Sequence, residues 1–324
     1  MRVATIDIGT NSVLLLVAER RDGAIVPVIE RATITRLGRG VDRTRELDPA
    51  AIASTLACLG AYADEIRGAG VARVDVVGTS AMRDARGGED FRDRAAALLG
   101  VAPRIISGHE EAELTFAGAL SGLEIEGPAL VFDLGGGSTE LIRGAVRAGV
   151  STLASALSID VGSVRLTERC LASDPPLADE IAEVRRTTRA LLDAALLTLG
   201  ASVAPEAAAQ LVGVAGTVTT LAAFALGVAP YDPARIHGAR ISAETIARSA
   251  HDLAALSLAQ RRALPTIEPK RADVIVAGAV ITDEILAWSR PFTRGDLLVS
   301  DRGVRWGLAA QLLEGSTIAG SGPK

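Results

Sequence analysis

Lysine is almost absent from this chain of 324 residues; Lys270 and Lys324 are the only two, and the remaining basic residues are arginines. Two readings of that excess stand side by side. Arginine offers a planar fork for bidentate contacts with phosphate, and an arginine-favouring genome composition produces the same bias. Positive charge is not in surplus: the formal net charge is −5, which argues against a general nucleic-acid binder, since such proteins carry a basic face. Aromatic residues are only 3% of the chain, but hydrophobic residues are 48%, much of it alanine, and that is enough for real cores. Cysteine is limited to Cys58 and Cys170, with no CxxC or zinc-type spacing. That pair reads as buried free thiols in a reducing cytoplasm, not as a disulfide framework or a metal knuckle. No apolar run is long and clean enough to span a bilayer. Met1-Arg2 leads straight into a strand pattern, so no signal peptide is expected. The expected partners therefore include neither nucleic acid nor membrane, and the expected location is cytoplasmic.

What is present is a repeated design. Ala129-Leu130-Val131-Phe132 reads as a buried strand that runs into Asp133-Leu134-Gly135-Gly136-Gly137-Ser138-Thr139-Glu140. Glycines let a backbone turn freely and bring bare N–H groups against a ligand, which suits phosphate oxygens. Asp133 at the strand end is suited to a hard cation, and a second strand leaving the turn brings Glu140 back beside it. A simple hairpin explains the stretch equally well when it is taken alone. It is not alone: Val3-Ala4-Thr5-Ile6-Asp7-Ile8-Gly9-Thr10-Asn11-Ser12 follows the same plan. Asp7 matches Asp133, Gly9 matches Gly135 and Ser12 matches Ser138 at one constant offset. A repeated strand–loop–strand unit predicts two similar halves, each with a phosphate loop, and 324 residues suffice for two domains. Ligand sites tend to lie in clefts between such halves.

The paired loops resemble those of the actin, sugar kinase and heat-shock chaperone ATPase superfamily. Within it, an ordered set of stretches resembles the exopolyphosphatase/guanosine pentaphosphate phosphohydrolase (Ppx/GppA) family: IDIGTNSVLLLV, GTSAMRDA, IISGHEEAELTF, VFDLGGGSTEL, SIDVGSVRLTER, VAGTVTTLAA, RADVIVAGAVI and VSDRGVRWGL. The set covers essentially the whole chain and matches the short form of the family. The resemblance implies an α/β fold of two actin-like (ribonuclease-H-like) domains, with mixed sheets flanked by helices and a cleft between them. The expected domains are 1–124 and 125–314, joined near the Gly- and Glu-rich stretch 121–128, with a disordered tail at 315–324.

Along the chain, alternation predicts strands at 3–8, 13–19 and 24–32, the last two joined by an Arg21-Asp22-Gly23 turn. Asp48-Pro49 opens a helix as N-cap and first helical residue, and Gly68 and Gly70 stop it. A strand at 71–78 delivers Thr79–Asp84 to its C-terminal end, where α/β folds place ligand contacts. Helices are expected at 88–99, 108–120, from 162, up to 199, at 242–255, 257–263, 271–288 and 303–313. Strands are expected near 103–107, 140–147, 151–159, 211–215 and 295–299, with a loop at 231–240 that carries His237, a structural or substrate-contacting residue. The apolar 271–288 helix is read as buried, because Arg271, Asp273, Asp283 and Glu284 punctuate it.

In Gly108-His109-Glu110-Glu111-Ala112, acidic residues in a first helical turn have a plain explanation: they complement the helix dipole. The resemblance implies more, with Glu111 as general base, Glu110 as helix decoration and His109 as an exposed or capping residue. It also implies that Asp133, Glu140 and Asp7 hold a divalent ion, Mg²⁺ with Mn²⁺ as a substitute, with Asp7 acting on metal-bound water. Asn11, Ser12, Gly135, Gly136, Gly137 and Ser138 cradle the terminal phosphate, and Arg83 clamps it. Gly216 and Thr217 form a floor for the distal part of the substrate, although tight strand–helix packing explains that turn too. Arg83, Arg165, Arg235, Arg240, Arg271 and Arg305 are candidates for a basic lane. The implied activity is release of terminal phosphate from inorganic polyphosphate, short chains favoured, by a homodimer. The alternatives are a guanosine pentaphosphate hydrolase, a small-molecule kinase of the same superfamily, and a non-enzymatic sensor of a phosphorylated ligand.

Overall fold

A computed structural model describes residues 1–86, 88–199 and 208–314; the predicted disordered tail lies outside them. The chain begins with β1 (Arg2–Ile8), β2 (Ser12–Arg21) and β3 (Ala24–Ile34), followed by α1 (Val41–Thr44) and α2 (Pro49–Gly68). Next come β4 (Arg73–Gly78), α3 (Ser80–Asp84), α4 (Gly88–Leu99), β5 (Arg104–Ile105) and α5 (Gly108–Leu120). A second series follows: β6 (Gly127–Leu134), β7 (Thr139–Arg147), β8 (Val150–Ile159), α6 (Ser163–Cys170), α7 (Ala178–Thr198), β9 (Ala209–Val214) and α8 (Ala215–Leu226). The chain ends with α9 (Pro233–Ile236), β10 (Arg240–Ser242), α10 (Ala243–Ala255), α11 (Leu258–Arg262), α12 (Ile275–Ser289), β11 (Thr293–Val299) and α13 (Val304–Glu314).

These elements form two compact units, one of Met1–Gly118 together with the segment from Val304, the other of Ala119–Gly303. The first holds a five-stranded sheet in the order β3-β2-β1-β4-β5. The second holds a six-stranded sheet in the order β10-β11-β9-β6-β7-β8. Set in the same direction, β8-β7-β6-β9-β11 repeats β3-β2-β1-β4-β5: two antiparallel pairings and then two parallel ones in each. The repeat seen in the two loop sequences is thus a repeat of whole sheets.

Side chains alternate across a strand, and β1 shows what that does. Ala4, Ile6 and Ile8 join the core that contains Leu59, Phe91 and Leu15. Val3 points the other way, into a cluster with Leu16 and Trp306. Thr5 shares that second face, and its hydroxyl donates to the Arg305 carbonyl at 2.8 Å. Helix α13 therefore covers one face of the first sheet, and the division of the chain differs from the expected 1–124 and 125–314. A helix that returns from the far end of the chain to an early sheet leaves no local sign of doing so. The edge strand β3 tolerates Pro27, beside a register shift between Val17 and Ala18, where a missing N–H is harmless.

Asp48 caps α2 as expected, accepting from the Ala50 and Ala51 amides. Helix α12 starts at Ile275 rather than 271 and is buried nearly all round, as its apolar composition required. Two short elements inside the expected 231–240 loop region and its edge were missed. Helix α9 has four residues and β10 three, too few for periodicity to register. Cys58 is buried and Cys170 half-buried, both free, and burial raises the Cys58 thiol pKa. No helix among the described residues is long and apolar enough to cross a membrane.

Candidate active site

In the first unit, the turn between β1 and β2 closes on itself, with the Gly9 N–H donating to the Ser12 carbonyl at 3.0 Å. A second segment latches it from behind. The Asn11 carbonyl accepts from the Thr35 and Arg36 amides, at 3.1 and 3.0 Å, and the Thr10 carbonyl from Gly38 at 2.8 Å. Arg36 takes a positive φ of 59° to make that approach. Gly38 is required because a Cβ there would overlap the Thr10 side chain. The Thr10 hydroxyl is tied in turn to Ser80 at 2.8 Å. Asp7 lies on the same strand face as Val3 and Thr5.

The first turn of α5 sorts its three polar neighbours. The Ser107 hydroxyl accepts from the Glu110 amide at 3.1 Å and the Ser107 carbonyl from the Glu111 amide at 2.9 Å, which starts the helix. Glu111 is 7% exposed. Arg83 on α3 donates to its Oε2 at 3.1 Å and to the Ile106 carbonyl, also at 3.1 Å. Arg83 therefore steadies the carboxylate expected to act as base. Glu110 is half-buried and pairs with Arg104 at 2.7 Å, which also forks onto Asp75. His109 is exposed beside Glu113. Of the three, Glu111 alone is buried at a fixed orientation.

In the second unit, the Gly135 N–H donates to the Ser138 carbonyl at 3.0 Å, the counterpart of the Gly9–Ser12 closure. The loop carbonyls turn toward the start of α6. Gly135 accepts from the Ser163 amide at 3.0 Å, and Gly136 from the Val164 and Arg165 amides at 2.9 and 3.0 Å. The Gly137 carbonyl accepts from Arg165 Nε at 2.5 Å. The amides of Gly136, Gly137 and Ser138 donate to no acceptor among the described residues. The carbonyls are engaged toward α6, which leaves three successive amides as donors of the kind an anion can use.

Beside that loop, antiparallel pairing sets Asp133 directly opposite Glu140, and residues directly opposite share one face of the sheet. Glu140 is 3% exposed and accepts from the Ser158 hydroxyl at 2.8 Å. Ser158 was not foreseen; its signal was only its place on β8 opposite Glu140. No group of three or more His, Cys, Asp or Glu among the described residues is arranged to hold a metal by itself. Two adjacent carboxylates nonetheless suit Mg²⁺, which keeps several waters and takes one or two carboxylates plus phosphate oxygens.

Gly216 and Thr217 open α8. The Arg271 guanidinium lies against Gly216, where a Cβ would overlap it, and burial lowers its pKa. The Thr217 hydroxyl donates to Ser163 at 3.3 Å, so packing alone accounts for its position. His237 Nδ1 faces the Asp301 carboxylate at 3.1 Å, a partner the sequence reading did not pair with it. The remaining arginines of the expected lane divide. Arg240 is held by Asp296 and Gln210, Arg305 by Glu30, and Arg165 is buried; Arg235 is exposed.

Residues 16–315 match the Ppx/GppA phosphatase family. The chain is 40% identical over 322 residues to exopolyphosphatase 2 of Mycobacterium tuberculosis, covering 96% of this chain and 98% of that protein. A crystal structure of an exopolyphosphatase-like protein superposes with a TM-score of 0.89 at 34% identity, covering 98% of this chain and 100% of the other. The Aquifex aeolicus Ppx/GppA family member gives a TM-score of 0.78 at 31% identity, covering 97% and 98%.

Proposed function

Because this chain belongs to the Ppx/GppA phosphatase family, we propose that it is an exopolyphosphatase that releases orthophosphate from the ends of inorganic polyphosphate. The observation that carries this reading is the Gly135–Ser138 loop, whose carbonyls are engaged behind it while three successive amides are not, beside the opposed Asp133 and Glu140. The name of the mycobacterial relative supports the choice of substrate.

Hydrolysis of a phosphoanhydride asks for an in-line water, neutralisation of charge on the transferred phosphoryl and little covalent help. In this reading Glu111 takes the proton from the attacking water at a carboxylate oxygen, a role worth roughly 10²–10⁴ in rate. Arg83, bonded to that carboxylate, fixes its orientation. The amides of Gly136, Gly137 and Ser138 bind the terminal phosphate oxygens, and the backbone of Asn11 and Ser12 serves the same end. Preorganised N–H donors of this kind stabilise developing charge without reorganising. Asp133 and Glu140 would hold a divalent cation, Mg²⁺ in our assignment, and Asp7 would orient water bound to it. When bound, that ion supplies further neutralisation of phosphate charge. Gly216 and Thr217, with Arg271 beside them, would meet the next phosphates of the chain.

The test is phosphate release from polyphosphates of defined length and from guanosine pentaphosphate, with and without Mg²⁺. We expect release from polyphosphate, with kcat/KM levelling off after the first few phosphates and activity lost without a divalent ion. A specificity constant that climbs steadily with chain length overturns the short-chain preference. One that favours the nucleotide tenfold or more (~1.4 kcal/mol in the transition state) overturns the substrate.

A further inference from the structure

The second phosphate loop is held by a side chain as well as by backbone, and that side chain is Arg165. It is 7% exposed, an unusual place for an arginine, since a buried guanidinium is costly unless its donors are satisfied. Its Nε donates to the Gly137 carbonyl at 2.5 Å, and its terminal nitrogen lies 3.4 Å from the Asp160 carboxylate. The same residue's backbone amide donates to the Gly136 carbonyl at 3.0 Å. One residue thus engages two consecutive loop carbonyls, once from its main chain and once from its side chain. Gly162, immediately before α6, lets the helix start approach this closely. Its φ of −152° is open to any residue. A Cβ there, however, would overlap the Gly136 carbonyl and the Gly137 backbone. Glycine is needed at 162 for space, not for conformation.

A carbonyl and the next residue's amide belong to one rigid peptide plane. Fixing the Gly135, Gly136 and Gly137 carbonyls toward α6 therefore fixes the Gly136, Gly137 and Ser138 amides in the opposite direction. We propose that Arg165 is a positioning residue: by holding the Gly137 carbonyl it orients the Ser138 amide, and with the α6 amides it keeps the three-amide nest formed before any ligand arrives. Three consecutive residues at 135–137 are glycine, and glycine loses more freedom on ordering than any other residue. Such a loop needs an external latch to stay in one conformation. The role rests on the reading of this loop as a phosphate cradle, but the latch itself does not depend on the substrate.

The test compares wild type with Arg165→Met, Arg165→Lys and Gly162→Ala, with Arg169→Gln on the exposed side of the same helix as control. Three readouts are taken: amide hydrogen exchange of the peptide spanning 134–140, the dissociation constant for inorganic orthophosphate, and kcat and KM for polyphosphate. In Arg165→Met we expect loop exchange at least tenfold faster, with the flanking β6 and β7 amides unchanged. Orthophosphate binding should weaken and KM rise about tenfold, with kcat within about threefold. Arg165→Lys keeps the charge but not the Nε donor, so it should restore less than half of the lost affinity. Gly162→Ala should give the same loop signature without removing a charge, which covers the case of Arg165→Met failing to fold. Unchanged loop exchange in both Arg165→Met and Gly162→Ala overturns the proposal. Full rescue by lysine also overturns it, since the residue would then act by charge alone. If wild type releases no phosphate from polyphosphate, the exchange and orthophosphate measurements still decide the latch, separately from the substrate.

Discussion

The two Asp-x-Gly loops close alike and are supported differently. In each, a glycine N–H donates to a serine carbonyl three residues on, at 3.0 Å in both. Behind the first loop stands an irregular segment, Thr35–Gly38, whose backbone amides reach the Thr10 and Asn11 carbonyls. Behind the second stands the start of α6, which adds the Arg165 guanidinium. The difference follows loop composition. Thr10 and Asn11 carry side chains that can make their own contacts, as Thr10 does with Ser80. The run Gly135-Gly136-Gly137 has none, and its order must come from outside. The two units also differ in what they add to the loop: the first a buried carboxylate steadied by arginine, the second a pair of carboxylates facing each other across two strands.

That division of labour can be broken, and the largest effect should come from the first unit's carboxylate. Glu111→Gln keeps size and hydrogen bonding but removes the proton acceptor, so kcat should fall by roughly 10²–10⁴ with binding retained. Near-wild-type phosphate release by that variant would remove Glu111 from the role of base. A smaller loss of a different kind is expected in the second unit. Asp133→Ala or Glu140→Ala should weaken apparent Mg²⁺ affinity by roughly 10–100-fold, the scale seen when even an outer partner of a metal ligand is lost. Extra Mg²⁺ should restore part of the activity. If titration shows the metal dependence unchanged while activity is lost, the pair maintains backbone geometry instead.

The supports themselves give the next contrast. Overpacking a close contact costs about 1–3 kcal/mol, and thermal melts of Gly38→Ala and Gly162→Ala should both fall in or near that range. Gly162→Ala should be the more damaging, because its new methyl meets loop backbone while that of Gly38→Ala meets mainly a threonine side chain. Equal melting temperatures would show that the first support is as rigid as the second. The smallest effect belongs to Glu110. It is half-buried and pairs with the exposed Arg104, and surface pairs contribute about 0–1 kcal/mol. Glu110→Gln should leave kcat within about twofold and the melting temperature nearly unchanged. A loss of turnover in this variant would transfer the base assignment from one neighbour to the other.

Much of this molecule was legible before any coordinates, for reasons of period and punctuation. Residues 3–8 and 129–134 are apolar runs that end in Asp-x-Gly, and a buried central strand followed by a tight turn is what such a run must form. The seven-residue spacing from Asp133 to Glu140 around a glycine turn left the two carboxylates paired in register. Asp48-Pro49 marked a helix start that the Asp48 side chain does cap. These are local statements, settled by backbone sterics and by alternation along one element.

Tertiary structure decided what depends on approach from a distance. Nothing near residue 304 in the chain says that α13 belongs to the first sheet; that follows from Trp306 and Leu313 burying against Val3 and Leu16. Arg165 was a candidate for a basic lane in the sequence, and only packing shows that it is buried and bound to a loop 28 residues earlier. Arg83 was expected on phosphate, and its hydrogen bond to Glu111, also 28 residues away, became visible only in the fold. The physical reason is common to all three. A side chain's role is set by which backbone or charge lies within about 3 Å of it, and chain order carries that information only for neighbours along one helix or strand.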